Sequence, residues 1–201
     1  DGDGDRDLIF GEHWGRISFY RRDGSGWTFV DNDFFPFDLQ GDSAPALADW
    51  DNDGDLDLLL AQAHGSIYKF TNVGNKTGAS WRPDGVLLTL PCTNHPHPYP
   101  AFCDIEGDGD MDLFIGEGNS DGGDAGGTLS FYRNDGSRSA PSWVPISTNY
   151  LSLDVGGWST PAFADIDGDG DNDLFIGNAG GTITFVRNHG TSKVPSWAAP
   201  V

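Results

Sequence analysis

Four stretches of this chain place acidic residues at every second position, an arrangement suited to capturing a hard divalent cation. They read DGDGDRDL (Asp1–Leu8), DWDNDGDLDL (Asp49–Leu58), DIEGDGDMDL (Asp104–Leu113) and DIDGDGDNDL (Asp165–Leu174), and they align without a gap. In the three complete copies acids stand at positions 1, 3, 5, 7 and 9, with glycine at position 6. Alternate side chains of a tightly curled loop converge on one point, glycine permits the sharp turn, and an all-oxygen donor set suits calcium rather than zinc or copper. Side-chain ligands are expected at positions 1, 3, 5 and 9 and a backbone carbonyl at position 7. Loop 2 then offers Asp49, Asp51, Asp53 and Asp57 with the carbonyl of Asp55. Loop 3 offers Asp104, Glu106, Asp108 and Asp112 with Asp110, and loop 4 offers Asp165, Asp167, Asp169 and Asp173 with Asp171. Loop 1 opens at position 3, so Asp1, Asp3 and Asp7, with Asp5 through its carbonyl, lack a position-1 acid. The expectation is one calcium ion per loop, up to four, with Glu106 as the one departure from aspartate.

Two competing readings fail on the residues. An EF-hand needs a glutamate at position 12 and a following helix, but position 12 is Leu60, Ile115 or Ile176. A merely solvated acidic surface does not need fixed glycines in gap-free copies. Nineteen of the 31 acids lie in the four loops, leaving 12 acids against 11 lysines and arginines elsewhere, so the net charge of -20 resides in the loops. Two carboxylates about 5 Å apart repel by roughly 3 kcal/mol at an effective dielectric near 20, which an ion between them would relieve. The same charge excludes nucleic acid as a partner, since phosphate binding needs a basic face. No run approaches the ~18 apolar residues of a membrane span, and no basic-plus-apolar leader opens the sequence, so membrane insertion is not expected.

The elements that must hold these loops repeat with them. Anchor aspartates Asp7, Asp57, Asp112 and Asp173 are spaced by 50, 55 and 61 residues, the last interval lengthened by a Gly/Asp-rich insertion between Gly116 and Gly127. After each anchor comes a short apolar run, a glycine turn, an alternating run (RISFYR, SIYKFT, TLSFYR, TITFVR) and then a tryptophan. The apolar runs are too short for helices, and the alternation has the period of a two-faced strand. Trp27, Trp81, Trp143 and Trp197 recur at matching offsets and are expected in the core of each unit. A further short strand, containing Ala44-Pro45-Ala46, Pro100-Ala101-Phe102 or Pro161-Ala162-Phe163, precedes each complete loop. Four strands per unit without helices predicts an all-β chain of β-propeller blades. The approximate units are 1–41, 42–97, 98–157 and 158–201.

These units, PAFADIDGDGDNDLFIGNAGGTITFVRNHGT (Pro161–Thr191) above all, resemble FG-GAP/VCBS repeats over essentially the whole chain. The resemblance implies calcium in the loop between the first two strands of a blade, about seven blades to a complete ring, and a role in adhesion, glycan binding or scaffolding. This chain would then be a stretch of a larger propeller or array. It reads as a non-catalytic, extracellular, calcium-stabilised scaffold or adhesion module whose partners are extracellular proteins, neighbouring copies or glycans. Two alternatives stand beside it, a calcium-dependent lectin and the propeller domain of a larger carbohydrate-active enzyme. No G-x-S-x-G or H-E-x-x-H motif is present, and the five histidines share no repeat position. Trp14, Trp50 and Trp158 fall outside the shared tryptophan position and are the candidate sugar contacts. Cys92 and Cys103 bracket a Pro-rich segment with His95 and His97 and are expected to form a disulfide, consistent with oxidising surroundings. Asn75-Lys76-Thr77 is an N-glycosylation sequon in a predicted loop. The insertion, with Asn119, Asp121 and Asp124, is read as a surface loop.

Overall fold

Every acidic loop hands the chain to a strand, and that strand opens an antiparallel meander. The computed structural model describes residues 3–31, 35, 37, 39, 41–90, 96–118, 127–137 and 139–201. The first sheet holds β1 (Leu8–Gly11), β2 (Ile17–Asp23) and β3 (Gly26–Asp31); the second holds β4 (Ser43–Ala48), β5 (Asp57–Gln62), β6 (Ser66–Asn72) and β7 (Trp81–Thr89). The third holds β8 (Tyr99–Cys103), β9 (Asp112–Gly116), β10 (Leu129–Asn134) and β11 (Trp143–Ser147), and the fourth holds β12 (Thr160–Ala164), β13 (Asp173–Gly177) and β14 (Ile183–Val186). Residues 197–201 extend the fourth sheet: the amides of Phe185 and Val201 each donate to the other's carbonyl at 2.9 Å. The Pro-Ala strands β4, β8 and β12 are the inner strands, and they lie against one another from sheet to sheet. Among the described residues the four sheets do not close into a ring.

Strand alternation decides what each sheet buries. The residues one and three places after an anchor aspartate face the preceding sheet, and the residue two places after faces the following one. Leu58 and Leu60 accordingly enclose a core with Ile17 and Ile9 of the first sheet. Leu59 meets Leu113 and Ile115, and Phe114 meets Leu174 and Ile176. Most of these side chains are fully buried, each contributing roughly 1.5–3 kcal/mol of hydrophobic stabilisation. The three cores therefore lie between sheets rather than within them.

Trp81, Trp143 and Trp197 join the cores shared with the preceding sheet. The Trp143 and Trp197 indoles donate to Met111 O and Tyr150 Oη, both at 2.9 Å. Trp27 does not behave as expected, for it is 53% exposed. The reason is positional: no described sheet precedes the first, so the face that is core elsewhere is surface there. Leu8, Phe10 and Phe29 are exposed on the same sheet, and Tyr20 stacks on Phe10 and meets Phe29 edge-on, with centroids 5.5 and 5.2 Å away.

A polar clasp joins neighbouring sheets at the far end of two anchor strands. Glu12 N–H donates to Ser43 Oγ at 3.1 Å, and Glu117 N–H donates to Ser159 Oγ at 2.8 Å. Each serine hydroxyl in turn donates back across the hairpin, to Arg16 O at 2.8 Å and Thr128 O at 2.6 Å. The residue before each glutamate must be glycine, because a Cβ on Gly11 or Gly116 would lie about 2 Å from the serine carbonyl oxygen.

Candidate metal centre

The loops share one backbone shape. The position-6 glycines Gly4, Gly54, Gly109 and Gly170 have φ of 102°, 96°, 98° and 93°, values that a side chain would strain. In the three complete loops this glycine's N–H donates to the position-1 carboxylate, at 3.2 Å to Asp49, 2.9 Å to Asp104 and 3.0 Å to Asp165. The position-5 carboxylate accepts the N–H of position 7 in all four, at 3.1 to 3.2 Å, through Asp3, Asp53, Asp108 and Asp169. These bonds curl the loop before any ion is considered.

The position-9 aspartate ties the loop to the sheet. Asp57 Oδ1 accepts Asn72 N–H, Asp112 Oδ1 accepts Asn134 N–H and Asp173 Oδ1 accepts Asn188 N–H, each at 2.8 Å. The second oxygen of each accepts the N–H of position 2, from Trp50, Ile105 and Ile166 at 3.3, 3.2 and 3.4 Å. Asp7 repeats the first of these bonds, accepting Arg22 N–H at 2.9 Å. The three asparagines, also buried, use Oδ1 to hold the next turn, accepting Gly74 and Ser80, Gly136 and Ser142, or Gly190 and Ser196 N–H. Sequence reasoning passed over these asparagines, although Asn-x-Gly ending in Ser-Trp recurs at fixed spacing in units 2, 3 and 4.

Whether the loops fit a cation is decided by their oxygens. Oδ1 of Asp49, Asp51, Asp55 and Asp171 is buried with no hydrogen-bond donor, a costly state for a carboxylate unless a cation faces it. Carboxylate oxygens of Asp49, Asp51 and Asp57 lie within 4.8 Å of one another, as do those of Asp165, Asp167 and Asp169. The chemistry is right for a hard cation, since every donor is oxygen. At position 7 the expected donor is the carbonyl, and the side chains of Asp55 and Asp171 are themselves buried with a donorless Oδ1, so they are candidate ligands beside it.

Burial pushes the Asp57 and Asp112 carboxyls up to about 6. Asp110 is raised to about 6 by burial and then by Asp108. Asp51, Asp55 and Asp171 are raised by burial and then by their neighbouring loop acid. In loops 3 and 4 an arginine approaches the position-3 acid, Arg133 at 3.8 Å from Glu106 and Arg187 at 3.0 Å from Asp167. Loop 2 has Thr71 at that place, and there the unpartnered oxygens are most numerous. Asp1 lies outside the described residues, while Asp5 is fully exposed and its carboxyl is raised.

A family model described as FG-GAP-like repeat matches residues 1–60, 49–115 and 104–176. The chain belongs to this family. Each match runs from one acidic loop through the next, so the FG-GAP-like unit is offset from the sheet: it begins at the acidic loop and ends on the following anchor strand. The four antiparallel sheets are consistent with propeller blades. No individual curated protein matches the chain.

The remaining candidate residues of this FG-GAP-like chain fall in different settings. Trp50 is buried between the second and third sheets, with Lys69 Nζ 5.2 Å from its ring, which removes it from the candidate sugar contacts. Trp14 is 73% exposed, and Trp158 stacks on His97 at 4.7 Å. His97 lies 3.2 Å from Asp42, which also bonds His13, so two histidines from different units converge on one carboxylate through tertiary placement. Cys103 is a buried free thiol, pushed up to about 12 by burial and accepting a bond from Asn172 at 3.4 Å. Cys92 and His95 lie outside the described residues, as do Asn119, Asp121 and Asp124. Asn75 sits in an exposed turn closed by its bridge to Gly78.

Proposed function

We propose that this FG-GAP-like repeat chain is a calcium-stabilised, non-catalytic extracellular module acting in scaffolding or adhesion, with one ion in each complete loop. The observation that carries this reading is the set of buried, donorless carboxylate oxygens in loops 2 and 4, whose backbone curl loop 3 shares. Calcium supplies the opposing charge, and the residues that would hold it in loop 2 are Asp49, Asp51, Asp55 and Asp57. Modules of this sort bind at about 0.1–1 mM, which suits calcium-rich extracellular surroundings. Isothermal titration of the chelator-treated chain should find at least three sites, and calcium should raise its melting temperature and protease resistance. Unchanged melting in calcium and chelator would remove the basis of the proposal.

A calcium-dependent glycan-binding role is the second reading, favoured by the exposed Trp14 ring with His13 set edge-on at 4.8 Å. A glycan array run in calcium and in chelator separates the two, because a lectin selects sugars and loses them with Trp14→Ala, whereas a scaffold binds none.

A further inference from the structure

The anchor bond fixes what stands beside each loop. Asp57, Asp112 and Asp173 accept the N–H of Asn72, Asn134 and Asn188 at one distance, 2.8 Å, so the third strand meets the loop in the same register in three sheets. The residue just before the asparagine is carried to the same place each time. It is Thr71 in unit 2, Arg133 in unit 3 and Arg187 in unit 4.

Position 3 of each loop registers that difference. Arg187 Nη1 lies 3.0 Å from Asp167 Oδ2, and Arg133 Nη1 lies 3.8 Å from Glu106 Oε1. In unit 2 the Thr71 hydroxyl donates to Asp84, and Arg82 pairs with the same Asp84 at 2.9 Å. Among the described residues no basic side chain pairs with a loop 2 acid. Asp51 Oδ1, at position 3 of loop 2, is buried without a donor. The same ligand position is therefore uncompensated in loop 2 and already paired with a cation of its own sheet in loops 3 and 4.

We infer that Arg133 and Arg187 set the calcium affinity of their loops: each holds position 3 as an internal counter-ion and opposes an arriving divalent cation, so loop 2 fills at the lowest calcium concentration and loops 3 and 4 fill later. The inference rests on the calcium reading above and adds to it an order of filling. In loop 2 the ion relieves a buried oxygen that nothing else compensates. In loops 3 and 4 it must draw on a carboxylate that is already paired and sit near a positive charge. Arg133 and Arg187 are 40% and 41% exposed, so each acts as a screened charge, worth about five- to tenfold in affinity rather than the loss of the site. Arg133 divides its charge between Glu106 and Asp135, so Arg187 should act the more strongly.

The test follows hydrogen exchange of the intact chain during a calcium titration, read separately on peptides covering residues 49–57, 104–112 and 165–173. Loop 2 should become protected at a calcium concentration about five- to tenfold below that of loops 3 and 4, and the gap should narrow at about 1 M salt. Arg187→Thr, which gives unit 4 the residue that unit 2 carries at this place, should lower the loop 4 midpoint towards that of loop 2. Arg133→Thr should do the same for loop 3. Arg187→Lys keeps the charge and should leave the loop 4 midpoint within about twofold of the parent chain. A single midpoint shared by the three loops, or weaker calcium binding at loop 4 in Arg187→Thr, overturns the inference and leaves the calcium reading standing. Absence of calcium-dependent protection at every loop overturns the calcium reading and the inference with it.

Discussion

At the residue scale the position-9 aspartates carry a backbone duty that the other loop acids do not. Position 9 is a bracket whose two oxygens hold backbone amides from the loop and from the third strand. Asp112→Ala should therefore destabilise the chain by roughly 2–4 kcal/mol even in chelator, since it leaves two buried amides unpaired. Denaturant melts in chelator and in calcium check this. Position 3 of loop 2 has a donorless buried oxygen, so Asp51→Asn should leave the chelated protein as stable or slightly more so, while weakening calcium binding. The sign of the pH dependence follows from the raised carboxyls. Asp57 and Asp112 titrate near 6 in the fold against about 3.9 in an unfolded chain. Their contribution to the ion-free fold is full below about pH 4 and is lost as pH rises towards 6. If calcium binds as proposed, protons compete with it for the loop carboxylates, so its affinity should fall as pH is lowered through about 6, and titrations on either side of that value should show it.

At the element scale the decisive feature is where one blade's anchor strand ends against the next blade's inner strand. Gly116 has Ser159 O about 2 Å from where a Cβ would stand, whereas Gly177, at the same place in the fourth sheet, has nothing nearer than Thr160 at 3.9 Å. Ala61 occupies that place in the second sheet. Gly116→Ala should cost roughly 1–3 kcal/mol by overpacking, and Gly177→Ala should be close to neutral; thermal melts of the two variants test the contrast. The order of strands and turns was legible in the sequence, because apolar runs after each loop and alternating runs after each glycine turn have the period of strands. The serine clasp was not, since Ser43 and Ser159 become partners of Glu12 and Glu117 only when two sheets meet.

At the scale of the whole molecule, the described residues form three cores, each between neighbouring sheets, so each sheet's stability depends on the sheet beside it. Phe114 is fully buried in one of them, while Phe175, its counterpart in the fourth sheet, is only half-buried, beside Phe185 at 4.9 Å. Phe114→Ala should cost roughly 3–5 kcal/mol and Phe175→Ala less than half as much, measurable as urea midpoints. The exposed rings of the first sheet follow the same logic, which is why Trp27 departs from the other three tryptophans of its repeat position.

The sequence by itself determined the repeat, the β architecture and the acids gathered at each loop, because spacing along a chain directly encodes turn shape and strand alternation. Which oxygens would want an ion, which aspartates also hold the backbone, and which faces of similar repeats end in core or in water were decided only by tertiary structure. Burial and hydrogen-bond satisfaction depend on the neighbouring sheet, and among the described residues two units of similar sequence differ where only one of them has a sheet against the same face.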